Sequence, residues 1–172
     1  MEPDVISYNA VISACERGEQ WEWAWRTLAA ICECSLEPSV ISCNSAISAC
    51  EKSGQWKRAL AVLAEIEECT LEPDVISYNA VVSACEKGEQ WEQALGMLAK
   101  MRKRDLKPDA ISYNAAINAC GKGEQWESAL EVLARMQCVL EADVISFSAS
   151  ITACANSAQW GWALIVLEEM QQ

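Results

Sequence analysis

Four kinds of side chain return at fixed places along this chain, and their chemistry suits one flat, negatively charged ligand. Isoleucine stands at Ile6, Ile41, Ile76, Ile111 and Ile145. Three residues on come Asn9, Asn44, Asn79 and Asn114, with Ser148 in the fifth place. Four further on are Ser13, Ser48, Ser83, Asn118 and Thr152, and four beyond those Arg17, Lys52, Lys87 and Lys122, with Asn156 last. Such steps place all of them on one side of a helix. A base of single-stranded RNA can be held between successive isoleucines while Asn or Ser hydrogen-bonds its Watson–Crick edge. Lys or Arg further along the helix can meet the phosphate. The same residues admit a purely structural use: the asparagines as a hydrogen-bond ladder, the neighbouring aspartates as helix caps, the cations as partners of helix C-termini.

Catalytic chemistry is missing from the sequence. The chain has no His, which removes the commonest general base and neutral metal ligand. There is no nucleophile–base pair, metal cluster or phosphate loop, so neither an enzyme, a cofactor nor a small-molecule substrate is expected. Ten cysteines include no CxxC pair, and Cys32 and Cys34 form only a CxC. Five others recur once per repeat, at Cys15, Cys50, Cys85, Cys120 and Cys154, as small buried hydrophobes would. We expect them reduced and structural.

The elements that position these residues follow from a period of 35. Pro3, Pro38, Pro73 and Pro108 are each 35 residues apart, with Ala142 one residue short. DVISYNAVISACERGEQW (4–21) returns at 39–56, 74–91, 109–126 and 143–160. The units are 5–39, 40–74, 75–109, 110–143 and 144–172, one array over 1–172. Each reads as two helices. Asp4, Ser39, Asp74, Asp109 and Asp143 cap the first, which carries apolar residues at Val5, Tyr8, Ile12 and Cys15. Gly18, Gly54, Gly88 and Gly123 break the chain before the second, whose apolar stripe in the first unit is Trp21, Ala24, Trp25, Leu28 and Ile31. Hairpins of this kind bury their faces only by stacking, which predicts an all-α solenoid. Trp21, Trp56, Trp91, Trp126 and Trp160 lie on the second helices and are expected to pack between hairpins rather than to stack on bases. Met1-Glu2-Pro3-Asp4 repeats the tail of a unit and the last unit is short, so a longer array is expected.

The net charge of −12 taken alone argues against a nucleic-acid partner. The acidic surplus falls mainly on second helices and loops, at Glu19, Glu22, Glu33, Glu37, Glu65, Glu67, Glu68 and Glu72, which leaves room for a local basic row. The longest apolar run, Trp160 to Leu167, is far short of a membrane span, and neither a signal peptide nor a transit segment is visible.

The period, P-D-V-I-S-Y-N at 73–79, E-K-G-E-Q-W-E-Q-A-L at 86–95 and the closing Ile66, Met101 and Met136 resemble the pentatricopeptide repeat family. Tetratricopeptide repeats, with period 34 and a W-x2-L-G-x2-Y start, do not match. The wording V-I-S-Y-N-A-x-I-S-A-C-E-K-G resembles versions abundant in unicellular algae. The resemblance implies a right-handed superhelix that binds single-stranded RNA, one base per repeat, in a chloroplast or mitochondrion. It also implies that the fifth and last residues of a unit read the base. Those pairs are Asn9/Ser39, Asn44/Asp74, Asn79/Asp109 and Asn114/Asp143. An Asn with a closing Asp favours uracil in the family, so the implied site is a pyrimidine followed by three uracils, with a purine opposite Ser148. The alternative is a scaffold, a structural subunit or assembly factor that binds protein in a large organellar complex; acidity and extra tryptophans favour it.

Overall fold

The computed structural model describes residues 4–34, 36, 38–68 and 71–171. Met1, Glu2, Pro3, Glu37 and Gln172, used above to set the register and charge, lie outside the described residues, as does the tenth cysteine, Cys69. The described residues form ten helices and no strand: α1 Val5–Arg17, α2 Trp21–Glu33, α3 Val40–Lys52, α4 Trp56–Glu68, α5 Val75–Lys87, α6 Trp91–Lys103, α7 Ala110–Lys122, α8 Trp126–Gln137, α9 Val144–Asn156 and α10 Trp160–Glu169. The chain divides into two compact units, Met1–Ala84 and Cys85–Gln172. Each is a length of α-solenoid.

Every first helix starts at an oxygen-bearing cap. Asp4, Ser39, Asp109 and Asp143 each accept the backbone N–H of the serine three residues on, and Asp74 takes that of Ser77 at 2.9 Å. This satisfies a donor the helix leaves orphaned. The turns into α2, α4, α6 and α8 fall where the glycines mark them. The left-handed residue is not the glycine of the G-E-Q-W turns but the residue after it, with φ of 54–56° at Glu19, Glu89, Glu124 and Ala158; only Gly54, with φ of 66°, puts a glycine there. The turn is closed by the glutamine N–H reaching the cysteine carbonyl five residues back, as in Gln20 to Cys15 at 2.9 Å and Gln159 to Cys154 at 2.8 Å. Gly123 answers a different need: a Cβ there would lie 2.5 Å from Cδ1 of Trp91.

In the first unit α1 packs on α2 and α3, and α3 on α2 and α4. In the second, α7 packs on α6, α8 and α9, and α9 on α8 and α10. First helices approach one another through small residues. Cys120, Ala116, Ala119 and Ala153 are fully buried, and a Cβ on Gly121 would sit 3.2 Å from that of Ala153. Larger side chains, among them Leu63, Ile66, Leu133 and Met136, fill the space behind them. Cys50, Cys85, Cys120 and Cys154 are buried and Cys15 half-buried; burial pushes the thiols of Cys50, Cys85 and Cys120 up to about 11. Among the described residues Cys15, Cys34, Cys50, Cys85, Cys120, Cys138 and Cys154 are free thiols. The tryptophan row corrects the sequence expectation. Trp21, Trp56, Trp91 and Trp126 are half-buried at the rim, not in the core, and Trp160 is exposed. Three of the row reach the next hairpin: the Arg58 guanidinium covers Trp21, along with Trp25, Trp91 meets the Gly123 turn, and Trp126 meets Trp162 at 5.8 Å.

Candidate nucleic-acid interface

The second residue of every first helix is an isoleucine held out in solvent. Ile6, Ile41 and Ile76 in the first unit and Ile111 and Ile145 in the second are between 60% and 76% exposed. Single exposed apolar residues are common on proteins, but the same one at the same helical position five times is a pattern. Burying such a side chain is worth about 1.5–3 kcal/mol, which this face forgoes repeatedly.

One helical turn on, the half-buried asparagines are held by the following repeat. Oδ1 of Asn9 accepts the Ser42 hydroxyl at 2.6 Å, Oδ1 of Asn44 that of Ser77 at 2.6 Å, and Oδ1 of Asn114 that of Ser146 at 2.7 Å. The Asn44 amide also donates to Asp74 Oδ1 at 3.2 Å. Thus Asn44 and its closing Asp74 touch, while Asn9 and Ser39 are linked through Ser42, whose hydroxyl meets that of Ser39 at 2.7 Å. Burial pushes the Asp74 carboxyl up, but bonds from Ser77 and Asn44 outweigh it and hold it below the ordinary value. The side chain and backbone of Ser146, helped by Asn114, do the same for Asp143. Asn79 and Asp109 fall in different units. Ser148 is exposed at the asparagine place of the last repeat. The ladder and the helix caps therefore share atoms with the residues expected to read bases.

The cationic row carries acidic partners that sequence spacing concealed. Lys52 Nζ lies 3.1 Å from Glu16, and Lys122 Nζ 3.2 Å from Glu86. Each glutamate belongs to the preceding repeat, so the pairing spans 36 residues although Glu16 and Arg17 are adjacent in sequence. Ser48 also donates to Glu16 at 3.0 Å. Burial raises the Glu16 carboxyl, yet Lys52 and Ser48 together leave it below the ordinary carboxylate value. Arg17 and Lys87 are exposed at the equivalent places.

Two features escaped the sequence reading. The buried serines Ser42, Ser77 and Ser146 were visible as the S of every V-I-S motif but were given no task. The second is a groove of about 640 Å³ in the second unit, with an aliphatic floor of Leu106, Pro108, Val139 and Leu140. Its rim includes Arg102, which covers the Tyr113 ring and donates to its hydroxyl at 2.8 Å, and Arg135, paired with Glu131. The signal was the run Lys100, Arg102, Lys103, Arg104 and Lys107, where the preceding repeat has Glu65, Glu67, Glu68 and Glu72. Among the described residues no cluster could hold a metal ion, and no helix is long and apolar enough to cross a membrane.

Comparison with known proteins gives a uniform answer. The model of the PPR repeat family matches residues 38–87 and 73–122, and that of the PPR repeat matches 6–34 and 111–138. No curated protein matches the chain. Among solved structures, the pentatricopeptide repeat protein PPR10 from maize is similar with a TM-score of 0.84 at 23% identity, over 99% of this chain and 24% of that one. Its complex with an 18-nt psaJ RNA element gives 0.79 at 23%, over 97% and 24%. The PPR domain of Arabidopsis thaliana protein-only RNase P 1, in complex with tRNA, gives 0.79 at 14%, over 93% and 85%. The chain thus spans about a quarter of the maize protein's length. At these identities the likeness is one of fold, an all-α helical-repeat solenoid.

Proposed function

The chain belongs to the pentatricopeptide repeat family, and from that premise we propose that it binds single-stranded RNA on its first helices, one base per repeat. The observation that carries this reading is the repeated exposed isoleucine beside a half-buried, hydrogen-bonded asparagine. The isoleucines offer apolar faces between which a base fits. The asparagines, held by their neighbours, offer a fixed amide at the base edge. The relatives solved with RNA or tRNA bound support the ligand class. Asn44/Asp74, Asn79/Asp109 and Asn114/Asp143 are assigned uracil, Asn9/Ser39 a pyrimidine, and Ser148 a purine. Arg17, Lys52, Lys87 and Lys122 are assigned to phosphates. The RNA is proposed to be organellar, as the family resemblance implies.

Titrating the protein with labelled oligouridine and oligoadenosine at two salt concentrations tests the proposal. Tighter binding of oligouridine, weakening with salt, is expected. Equal weak binding of both strands, insensitive to salt, would refute it. The groove rimmed by Arg102 and Lys107 favours a second reading, a scaffold for an acidic protein segment with an aliphatic anchor. Its expected sign is retention of a protein partner by a variant that no longer binds RNA.

A further inference from the structure

We infer that the serine at the third place of each first helix orients the reading amide of the repeat before it, and thereby contributes to the choice of uracil over cytosine. This deepens the RNA reading above and rests on it. Ser42, Ser77 and Ser146 are at most 1% exposed, so each hydroxyl must find its partners inside the protein. At Ser77 the bond lengths favour one assignment of the proton. Its oxygen already accepts the Asp74 backbone N–H at 3.2 Å. Its single proton then has two acceptors in reach, Asn44 Oδ1 at 2.6 Å and Asp74 Oδ1 at 2.9 Å. The shorter bond goes to Asn44.

The Asn44 amide is then fixed from both sides. Oδ1 accepts from Ser77, and Nδ2 donates to Asp74. Turning the amide over would press its carbonyl oxygen against a carboxylate, acceptor against acceptor. Held this way, the amide has one N–H left to give. Uracil presents the O4 acceptor where cytosine presents an amino donor. A donor held toward that edge accepts uracil and repels cytosine. Around Asn114 the same residue types meet: the Ser146 hydroxyl has Asn114 Oδ1 and Asp143 Oδ1 both at 2.7 Å, and the Asn114 amide in turn bonds Asp143. At Asn9 the carboxylate is replaced by Ser39, so only the Ser42 bond holds the amide, and the two pyrimidines should be less sharply separated there.

The test uses the full chain and oligouridines that carry one cytidine at each place in turn. In the wild type, cytidine opposite the Asn44 repeat should weaken binding. In Ser77→Ala that penalty should shrink by about two- to tenfold, the range one neutral hydrogen bond supports, with the penalties elsewhere unchanged. Ser77→Thr, which keeps the hydroxyl, should restore it. A Ser77→Ala protein that melts earlier yet keeps the full cytidine penalty would overturn the inference and leave the RNA reading standing. A wild type that binds no oligouridine would bring both down. If Ser77→Ala does not fold, Ser146→Ala makes the same test at Asn114.

Discussion

Neutralising the glutamates that hold the cationic row should strengthen RNA binding. Glu16→Gln with Glu86→Gln removes the carboxylates 3.1 and 3.2 Å from Lys52 and Lys122. Glutamine keeps an acceptor for the Ser48 hydroxyl, so the helices should remain packed. Both lysines are more than a third exposed, with side-chain exposures of 36% and 42%. Pairs of this kind are worth about 0–1 kcal/mol each. In the wild type an approaching phosphate must displace a carboxylate from each ammonium; in the double variant it need not. For the two pairs together the gain should be up to about 2 kcal/mol, a tightening of up to roughly thirtyfold at low salt. The opposite change, Lys52→Met with Lys122→Met, should weaken binding and flatten the salt dependence by about 1.4, since each phosphate contact on a single strand contributes about 0.7 to the slope. Fluorescence anisotropy of labelled oligouridine across a salt series reads both quantities, with circular-dichroism melting to check the fold. If neither double variant changes affinity or slope, this row does not meet phosphate and the assignment of Lys52 and Lys122 is wrong.

Ile41→Ser should leave the melting temperature nearly unchanged, because the side chain is 73% exposed, while oligouridine affinity falls about five- to tenfold; an unchanged affinity would remove Ile41 from the site. Gly123→Ala should cost about 1–3 kcal/mol in denaturant unfolding, because the new methyl meets the Trp91 ring, whereas Glu124→Gly should gain a few tenths to about 1 kcal/mol by relieving a left-handed φ of 56°. Trp91→Ala should cost about 2 kcal/mol, below the range of about 3–5 for a fully buried ring, since it is half-buried. Acid should unfold the protein in part through Glu16, Asp74 and Asp143, whose carboxyls are held low in the fold. A group depressed this way stabilises above its unfolded value and loses that contribution as pH falls through the folded one, so melting temperatures should drop below about pH 4. Asp74→Asn, which can still cap, should flatten that drop.

The helices were legible because the repeat writes them five times. The caps, the apolar stripes and the Gln-Trp start of every second helix return at one spacing, so each copy corroborates the others. The exposed isoleucine row was legible for the same reason: it lies on the first helix but off its core stripe. What spacing hid were contacts between repeats. Glu16 and Lys52 are 36 residues apart, and Asn44 and Ser77 are 33 apart. Helical periodicity describes one element at a time and says nothing about which residues of the next hairpin arrive opposite. The tryptophans were misjudged on related grounds. Standing first in the second helix, they were counted with the stripe, but that end of the hairpin lies at the rim, where a ring can only half bury. The turn glycines marked the loops correctly, but spacing could not show that the left-handed backbone falls on Glu19, Glu89, Glu124 and Ala158.

The ladder and the proposed reading site need not compete for the asparagines. An asparagine side chain offers two lone pairs and two protons. At Asn44 the ladder takes one lone pair through Ser77 and one proton through Asp74, which leaves a proton for a ligand. Stability alone gives weak grounds for such a network, because burying polar groups, even satisfied ones, gains little over an apolar contact of the same size. The same face leaves its isoleucines in water, where they contribute nothing to the core. A surface that holds an amide still with buried hydrogen bonds, and exposes an apolar wall beside it, suits the proposed ligand, a flat base that makes one polar edge contact. Net charge does not contradict this, because the acidic surplus lies largely on second helices and loops, while the glutamates beside the row are engaged by its own lysines.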